Sequence, residues 1–173
     1  MVHHKLFLGL GGNTGNKHTT FSETLRLISD KVGNLVTISP LFATPPWGFE
    51  SSDIFWNMVV QVDTLHSPEE VLHSVEEIEK RFGRVRKPGV YLSRQMDIDI
   101  LLFDQMILDS TKLTIPHPLM TSRRFVLEPL ARIAPEVVHP TTGNTIRELL
   151  IRCKDDAQIT EISDGSELMV NQR

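Results

Sequence analysis

Cysteine is nearly missing from this sequence: Cys153 is the single one among 173 residues. That excludes an internal disulfide framework and any cysteine-rich zinc site, and it fits a reducing, cytoplasmic setting. Long apolar runs are missing as well. None approaches the ~20 residues that cross a bilayer, and the first residues lack the apolar stretch of a secretory signal, so no membrane partner is expected. Basic charge is not in excess either, because 18 Lys and Arg against 22 Asp and Glu leave a net charge of −4. A nucleic-acid partner is therefore not expected. Aromatic residues make up only 6% of the chain, with one tyrosine and two tryptophans, so each cluster of rings is worth locating. Linkers, repeats and low-complexity tracts are missing too. Residues 1–173 read as a single domain, large enough for a real core and expected to be monomeric.

One stretch, Gly83 to Phe103, stands out from this background. Its first half carries Arg84, Arg86, Lys87 and Arg94, with Pro88-Gly89 opposing regular structure and Tyr91 among the basic residues. Its second half alternates and then becomes wholly apolar, as a strand does on entering a core. Strand side chains repeat every two residues, so Asp97 and Asp99 share a face. Two carboxylates side by side on a mostly buried strand repel each other unless protonated, paired with arginine or bridged by metal. Solvated aspartates on a sheet edge are the plain alternative. Ile98, Ile100, Leu101, Leu102 and Phe103 argue against an edge, and hard divalent cations prefer carboxylate oxygen. The metal reading is favoured, and paired metals suit phosphoryl chemistry.

Lys5 to Leu10 reads as a first, central strand, followed by a Gly11–Asn16 loop and a helix whose Phe21, Leu25, Ile28 and Val32 share a face. The glycines fail both phosphate-loop templates. Thr14 stands where a dinucleotide fingerprint starting at Gly9 needs glycine, and Asn16 separates Gly15 from Lys17. A tight strand-to-helix turn is the plainer reading. Leu35 to Ala43 is a second strand, interrupted at Pro40 by a bulge or an edge position. Thr44 to Phe49 is a stiff loop, with two prolines and then Gly48 between aromatic rings, serving as a hydrophobic plug or one wall of a ligand pocket. Phe55 to Asp63 is a third strand, with Phe55, Asn57, Val59 and Gln61 on one face. Asn57 among bulky apolar neighbours needs a partner, either the nearby loop or the edge of a ligand.

Ser67-Pro68-Glu69-Glu70 opens a second helix, with a capping serine, a first-turn proline and acids at the helix N-terminus. Val71, Leu72, Val75, Ile78 and Phe82 continue it, Gly83 ends it, and Glu76, Glu77 and Glu79 read as a solvated face. Met106–Leu108 and Leu113–Ile115 are short extended pieces, and His117 lies between Pro116 and Pro118. Such a histidine is more often structural, though beside an arginine loop it can donate to phosphate. Ser122–Leu130 and Ile146–Ile151 read as helices. From about Asp155 to Arg173 the chain is polar and weakly patterned, expected as a mobile tail.

Strand–helix–strand, twice over, predicts an α+β fold: a ferredoxin-like split βαβ sandwich with C-terminal helical additions. The chain thus offers a carboxylate pair for two metals, arginines in the loop before it, and a stiff aromatic loop. Arginine's planar fork suits phosphate oxygens, and a loop can close over them to exclude water. Together these point to transfer of a phosphoryl-type group from a nucleotide to an acceptor held between rings. A glycosyltransferase would also use Asp-x-Asp for metal, but within a larger α/β domain. A ferredoxin-like RNA-binding module would carry stacking aromatics in RNP motifs, and none is present.

Six ordered motifs, Phe7–Asn13, Thr44–Gly48, Phe55–Asn57, Gly83–Arg86, Arg94–Leu101 and Ile115–Pro118, together resemble the 6-hydroxymethyl-7,8-dihydropterin pyrophosphokinase family of folate synthesis. The resemblance implies transfer of the β,γ-pyrophosphoryl group of ATP to the pterin hydroxymethyl oxygen, with release of AMP. It also implies roles for single residues. Asp97 and Asp99 are the implied ligands of two Mg2+ ions bridging ATP. Arg84 and Arg94 would stabilise the transferring group, with Arg86 near the phosphates. His117 and Arg123 are implied phosphate-side contacts, and Leu72, Glu79, Tyr91, Ile100, Lys112 and Thr114 would line the rest of the ATP site. Phe55 and Phe125 would sandwich the pterin. Asn57 and Asp97 would read its edge, and Thr44, Pro45 and Trp47 would complete its recognition.

The chain departs from the family pattern at Tyr91, where tryptophan is usual, and at Leu92-Ser93, where Gly-Pro precedes the arginine. Phe55 stands where tyrosine is common, and Pro118 and Arg124 also differ from frequent choices. Val90-Tyr91-Leu92 makes the loop bulkier and less kinked, so its closure is expected to differ in detail while the chemistry is kept. Arg94→Ala is expected to lower kcat roughly 100-fold, the scale of losing one donor to developing charge. Tyr91→Trp should be tolerated. Steady-state turnover of the two variants checks this reading of the loop.

Overall fold

Alternation places the first strand. Leu6, Leu8 and Leu10 point to one side of β1 (His4–Gly12) and Phe7 to the other, and all four are buried. A strand covered on both faces belongs inside a sheet. In the computed structural model, which describes residues 1–44, 54–83 and 95–169, β1 pairs antiparallel with β4 (Phe55–Thr64) on one side and β5 (Asp97–Phe103) on the other. Beyond β4 lies a broken strand, β2 (Asn34–Ile38) and β3 (Leu41–Thr44), both paired with β4. The break falls where Pro40 predicts it. Ser39 bridges the interruption, its amide donating to Val59 O at 2.8 Å and its hydroxyl accepting from Val59 N–H at 2.9 Å.

The helices sit in the two crossovers. Asn16 caps α1 (Lys17–Lys31), its side chain accepting from Thr19 N–H at 3.1 Å. Ser67 and Glu70 form a reciprocal capping box for α2 (Pro68–Arg81). The order β5-β1-β4-β3, with α1 and α2 as crossovers, is the expected ferredoxin-like arrangement. Phe21, Leu25 and Ile28 of α1 and Val71, Val75 and Ile78 of α2 pack on Leu6, Leu8 and Leu10. On the opposite face, Phe7, Val59 and Leu101 pack against α3 (Arg124–Ile133) and α4 (Ile146–Arg152). A short hairpin, β6 (Leu108–Asp109) with β7 (Thr114–Ile115), follows β5. Among the described residues no helix is long and apolar enough to cross a membrane.

Two expectations need correction. The apolar run of β5 argues against a sheet edge, yet among the described residues β5 is an edge strand. Its apolar residues are buried because helices cover both faces, and its backbone is occupied from outside: Glu79 accepts from Ile98 N–H, and His117 N–H donates to Leu101 O. The polar C-terminal stretch was expected as a loose tail. Instead β8 (Thr160–Ser163) pairs with β3 and forms the other sheet edge, and Leu168 is fully buried. A short edge strand with exposed side chains carries no apolar periodicity, so its pattern resembles a loop.

The turn that leads into α4 is built on a buried histidine. His139 is 5% exposed, and its Nδ1 accepts from the amides of Thr141 and Thr142 at 3.3 and 3.2 Å. Burial lowers its pKa below the usual 6.5. The folded state therefore favours the neutral ring, while the unfolded chain takes up a proton below about pH 6.5. Stability is expected to be level above that pH and to fall as pH drops through it. His139→Gln should flatten that slope while lowering the neutral-pH stability, as measured by urea unfolding across pH 5–8.

Candidate active site

Register lays the acidic pair against a floor of glycine. Gly11 of β1 lies opposite Asp97 and Gly9 opposite Asp99; on the other flank Gly11 lies opposite Asn57 and Gly9 opposite Val59. Directly opposed residues share a face, so Asp97, Gly11 and Asn57 form one row across three strands. A Cβ on Gly11 would stand 3.1 Å from Asn57 Oδ1, tighter than ordinary contact. On Gly9 it would meet the Leu101 side chain at 3.4 Å. Two missing side chains thus open a pocket between an amide and a carboxylate. Thr44 and Phe55 wall it on the β3–β4 side, and Arg123, Phe125 and Val126 close it from the start of α3.

Each wall is tied down. Asn57 is 5% exposed and donates from Nδ2 to Thr44 Oγ1 at 2.8 Å. The guanidinium of Arg123 lies over the Phe125 ring, 5.5 Å from its centroid. At the other end of the pocket, Asp99 Oδ1 is 3.7 Å from His117 Nε2, and Asp99 Oδ2 is 3.9 Å from Arg123 Nη1. Leu119 N–H donates to His117 Nδ1 at 3.1 Å. The neutral ring therefore carries its proton on Nε2, the atom turned toward Asp99.

Glu79, expected on a solvated face, is 2% exposed. Its Oε2 accepts from Ile98 N–H at 3.2 Å, the amide between the two aspartates. A carboxylate thus braces the outer edge of the strand that carries the acidic pair. Asp97 and Asp99 themselves supply carboxylate oxygen, and among the described residues no group of three or more His, Cys, Asp or Glu gathers to hold a metal. Two carboxylates beside an open pocket would fit a hard divalent cation such as Mg2+ better than the closed protein cages of structural zinc or calcium.

Of the residues anticipated from sequence, Thr44, Phe55, Asn57, Asp97, Asp99, Arg123 and Phe125 converge on this pocket, with His117 against Asp99. Leu72 and Ile100 lie in the apolar layer of the opposite sheet face. Lys112 is exposed between β6 and β7, and Thr114 lies on β7. Pro45, Trp47, Arg84, Arg86, Tyr91 and Arg94 are outside the described residues. Gly9 and Gly11 belong to the site although the glycine run reads as a turn. The available signal is their spacing of two within a strand, which matches the spacing of Asp97 and Asp99.

Residues 7–135 match the model of the 7,8-dihydro-6-hydroxymethylpterin-pyrophosphokinase (HPPK) family. The chain is similar to the 2-amino-4-hydroxy-6-hydroxymethyldihydropteridine pyrophosphokinase of Porphyromonas gingivalis, 41% identical over 138 residues, covering 78% of this chain and 93% of the relative. The Bacillus subtilis protein of the same name is 35% identical over 138 residues, covering 79% of this chain and 82% of the relative. Among solved structures, a triple mutant of HPPK-DHPS from Plasmodium falciparum superposes with a TM-score of 0.71 over 87% of this chain at 18% identity. The match spans 43% of that structure's chain, and at this identity it speaks for the fold alone.

Asn57→Leu is expected to cost about 1–2 kcal/mol of stability, because it leaves the buried Thr44 hydroxyl without the donor it now accepts from. Urea unfolding compared with the parent chain measures it.

Proposed function

The chain belongs to the 7,8-dihydro-6-hydroxymethylpterin-pyrophosphokinase family, and on that premise we propose how its residues divide the work of the reaction. The enzyme is an ATP-dependent diphosphokinase of folate biosynthesis that moves pyrophosphate from ATP to 6-hydroxymethyl-7,8-dihydropterin. The row Asp97–Gly11–Asn57 carries the reading. It sets a group able to read a flat polar edge and a group able to hold metal on one glycine-floored surface.

On this assignment the pterin ring lies over the glycines between Phe55 and Phe125, which face the pocket from the sheet and from α3. Asn57 and Asp97 read its edge, and Thr44, Pro45 and Trp47 complete the recognition. Asp97 and Asp99 would hold two Mg2+ ions, whose charge would offset that developing on the transferring group. His117 donates from Nε2 to a phosphate oxygen, and Arg123 adds a fixed positive charge behind it. Arg84, Arg86, Tyr91 and Arg94, which lie outside the described residues, are assigned to ATP, with Arg84 and Arg94 stabilising the transferring group. Leu72, Ile100, Lys112 and Thr114 complete the ATP contacts, and Glu79 serves that site through the β5 backbone it holds. Alignment and electrostatics then supply most of the rate. The lone, half-buried Cys153 supports a reducing, cytoplasmic setting.

Incubating the chain with ATP, 6-hydroxymethyl-7,8-dihydropterin and Mg2+ is expected to yield AMP; ADP in its place would overturn the pyrophosphoryl assignment. Asp97→Ala should lower turnover roughly 1,000-fold or more, the upper range for losing an electrostatic stabiliser, and weaken Mg2+-dependent ATP binding. Near-normal activity in that variant would remove Asp97 from the mechanism.

A further inference from the structure

The family match ends at residue 135, yet residues well beyond it grip both walls of the pocket. One contact is a helix cap. No side chain of α3's own N-cap residue, Arg123, caps the helix. Asp155 does so instead, with Oδ2 accepting from Arg124 N–H at 3.0 Å and Oδ1 accepting from Ala157 N–H at 3.0 Å. Arg124 returns the contact, its Nε donating to the Asp155 carbonyl at 2.7 Å. A carboxylate at this helix terminus is favoured both as acceptor and by the helix dipole. The capped turn is the one that carries Arg123 and Phe125 into the pocket.

The second contact is a strand. Thr160 pairs with Ala43 and Glu161 with Phe42, and Phe42 in turn lies opposite Asn57. The row that crosses the active site therefore continues outward: Asp97, Gly11, Asn57, Phe42, Glu161. Arg132 of α3 joins the two contacts, donating to Glu161 Oε2 at 2.7 Å while its guanidinium lies 6.0 Å from the Phe42 ring centroid. That ion pair is 46% and 40% exposed, so it orients more than it stabilises. The hold comes from the strand pairing and from Leu168, fully buried, whose carbonyl accepts from Ser22 Oγ at 2.8 Å. Gly165 makes the turn between them at φ +83, where a Cβ would meet Ser39 O at 3.1 Å.

We propose that residues 153–169 are a positioning strap that fixes the spacing between Thr44 on β3 and Phe125 on α3, and so sets the affinity of the pocket for its pterin. The inference rests on assigning the pterin to that pocket. The strap lies along the sheet edge opposite β5, so ATP binding is affected less, with Arg123 the one phosphate-side group beside the cap among the described residues.

The test compares Asp155→Ala, Asp155→Asn and a chain ending at Ala157 with the parent. Calorimetry reads the Kd of 6-hydroxymethyl-7,8-dihydropterin and of Mg2+-ATP, and circular dichroism checks folding. Loss of a cap predicts a rise of about tenfold in pterin Kd for Asp155→Ala. ATP Kd should change less, and Asp155→Asn should restore pterin binding because its amide oxygen still caps. Folded strap variants that keep pterin affinity, or lose both ligands equally, overturn the proposal. If the shortened chain does not fold, hydrogen exchange on the parent decides: bound pterin must slow exchange at Thr160–Ser163, since coupling is reciprocal, and unchanged exchange overturns the strap. Phe125→Ala separates the two readings. Pterin affinity unchanged there overturns the pocket assignment; affinity lost there but kept in the strap variants overturns the strap alone.

Discussion

The site depends on the register of β1 against its two neighbours. Side chains on a strand alternate strictly, so a slip by one residue would carry Asp97 and Asp99 from the pocket face into the layer of Leu6, Leu8 and Leu10. Two buried carboxylates in an apolar layer would cost far more than the strand pairing returns. A slip of β1 instead would put leucine where Gly9 and Gly11 now leave room. The apolar demand of one face and the steric emptiness of the other therefore select the same pairing. Leu101 completes the arrangement as the unpaired residue of a bulge, since Phe7 lies opposite Leu102 and Leu8 opposite Ile100. The bulge lets β5 carry acids at alternate positions and then two consecutive apolar residues, Leu101 and Leu102, into the α3–α4 layer.

An edge position suits a half-buried acidic pair, and the reason is access. A central strand would have neighbours on both flanks, leaving only the sheet face from which to reach its carboxylates. At the edge, the segment around His117 can approach Asp99 directly, and α2 can brace the backbone through Glu79. That brace replaces the hydrogen bonds that an additional strand would supply, without a strand's bulk. The strand backbone is thus held while Asp97 and Asp99 line the pocket.

Much of this was legible in the chain. The period of two through Asp97 and Asp99, the cap at Ser67, and the interruption at Pro40 are local signals, and the structure follows them. What local pattern does not carry is the partner across the sheet. Gly9 and Gly11 acquire meaning only opposite Asp99 and Asp97. Glu79 sits among glutamates on a helix, and only the docking of α2 beside β5 separates it from the solvated ones. β8 is four residues long, polar, and paired on one side, so nothing in its composition marks it as part of the sheet. The C-terminal cap at Asp155 is equally invisible, because its helix lies 31 residues earlier.

On the proposed assignment, the row Asp97–Gly11–Asn57 also gives a reason why acceptor and donor sites need not be separately assembled. Asp97 lies in the row with Asn57 and on the strand with Asp99. On the proposed assignment it faces the pterin edge with one part of its environment and the metal with the other. A carboxylate that attracts a cation is a different acceptor from one that does not, because the cation draws charge from both of its oxygens. On that assignment, metal binding would change how firmly the acceptor's edge is read, and the acceptor would change the field at the metal. Such coupling would require no moving part, because one aspartate would be shared between two ligands on a surface that Gly11, opposite Asp97, leaves open.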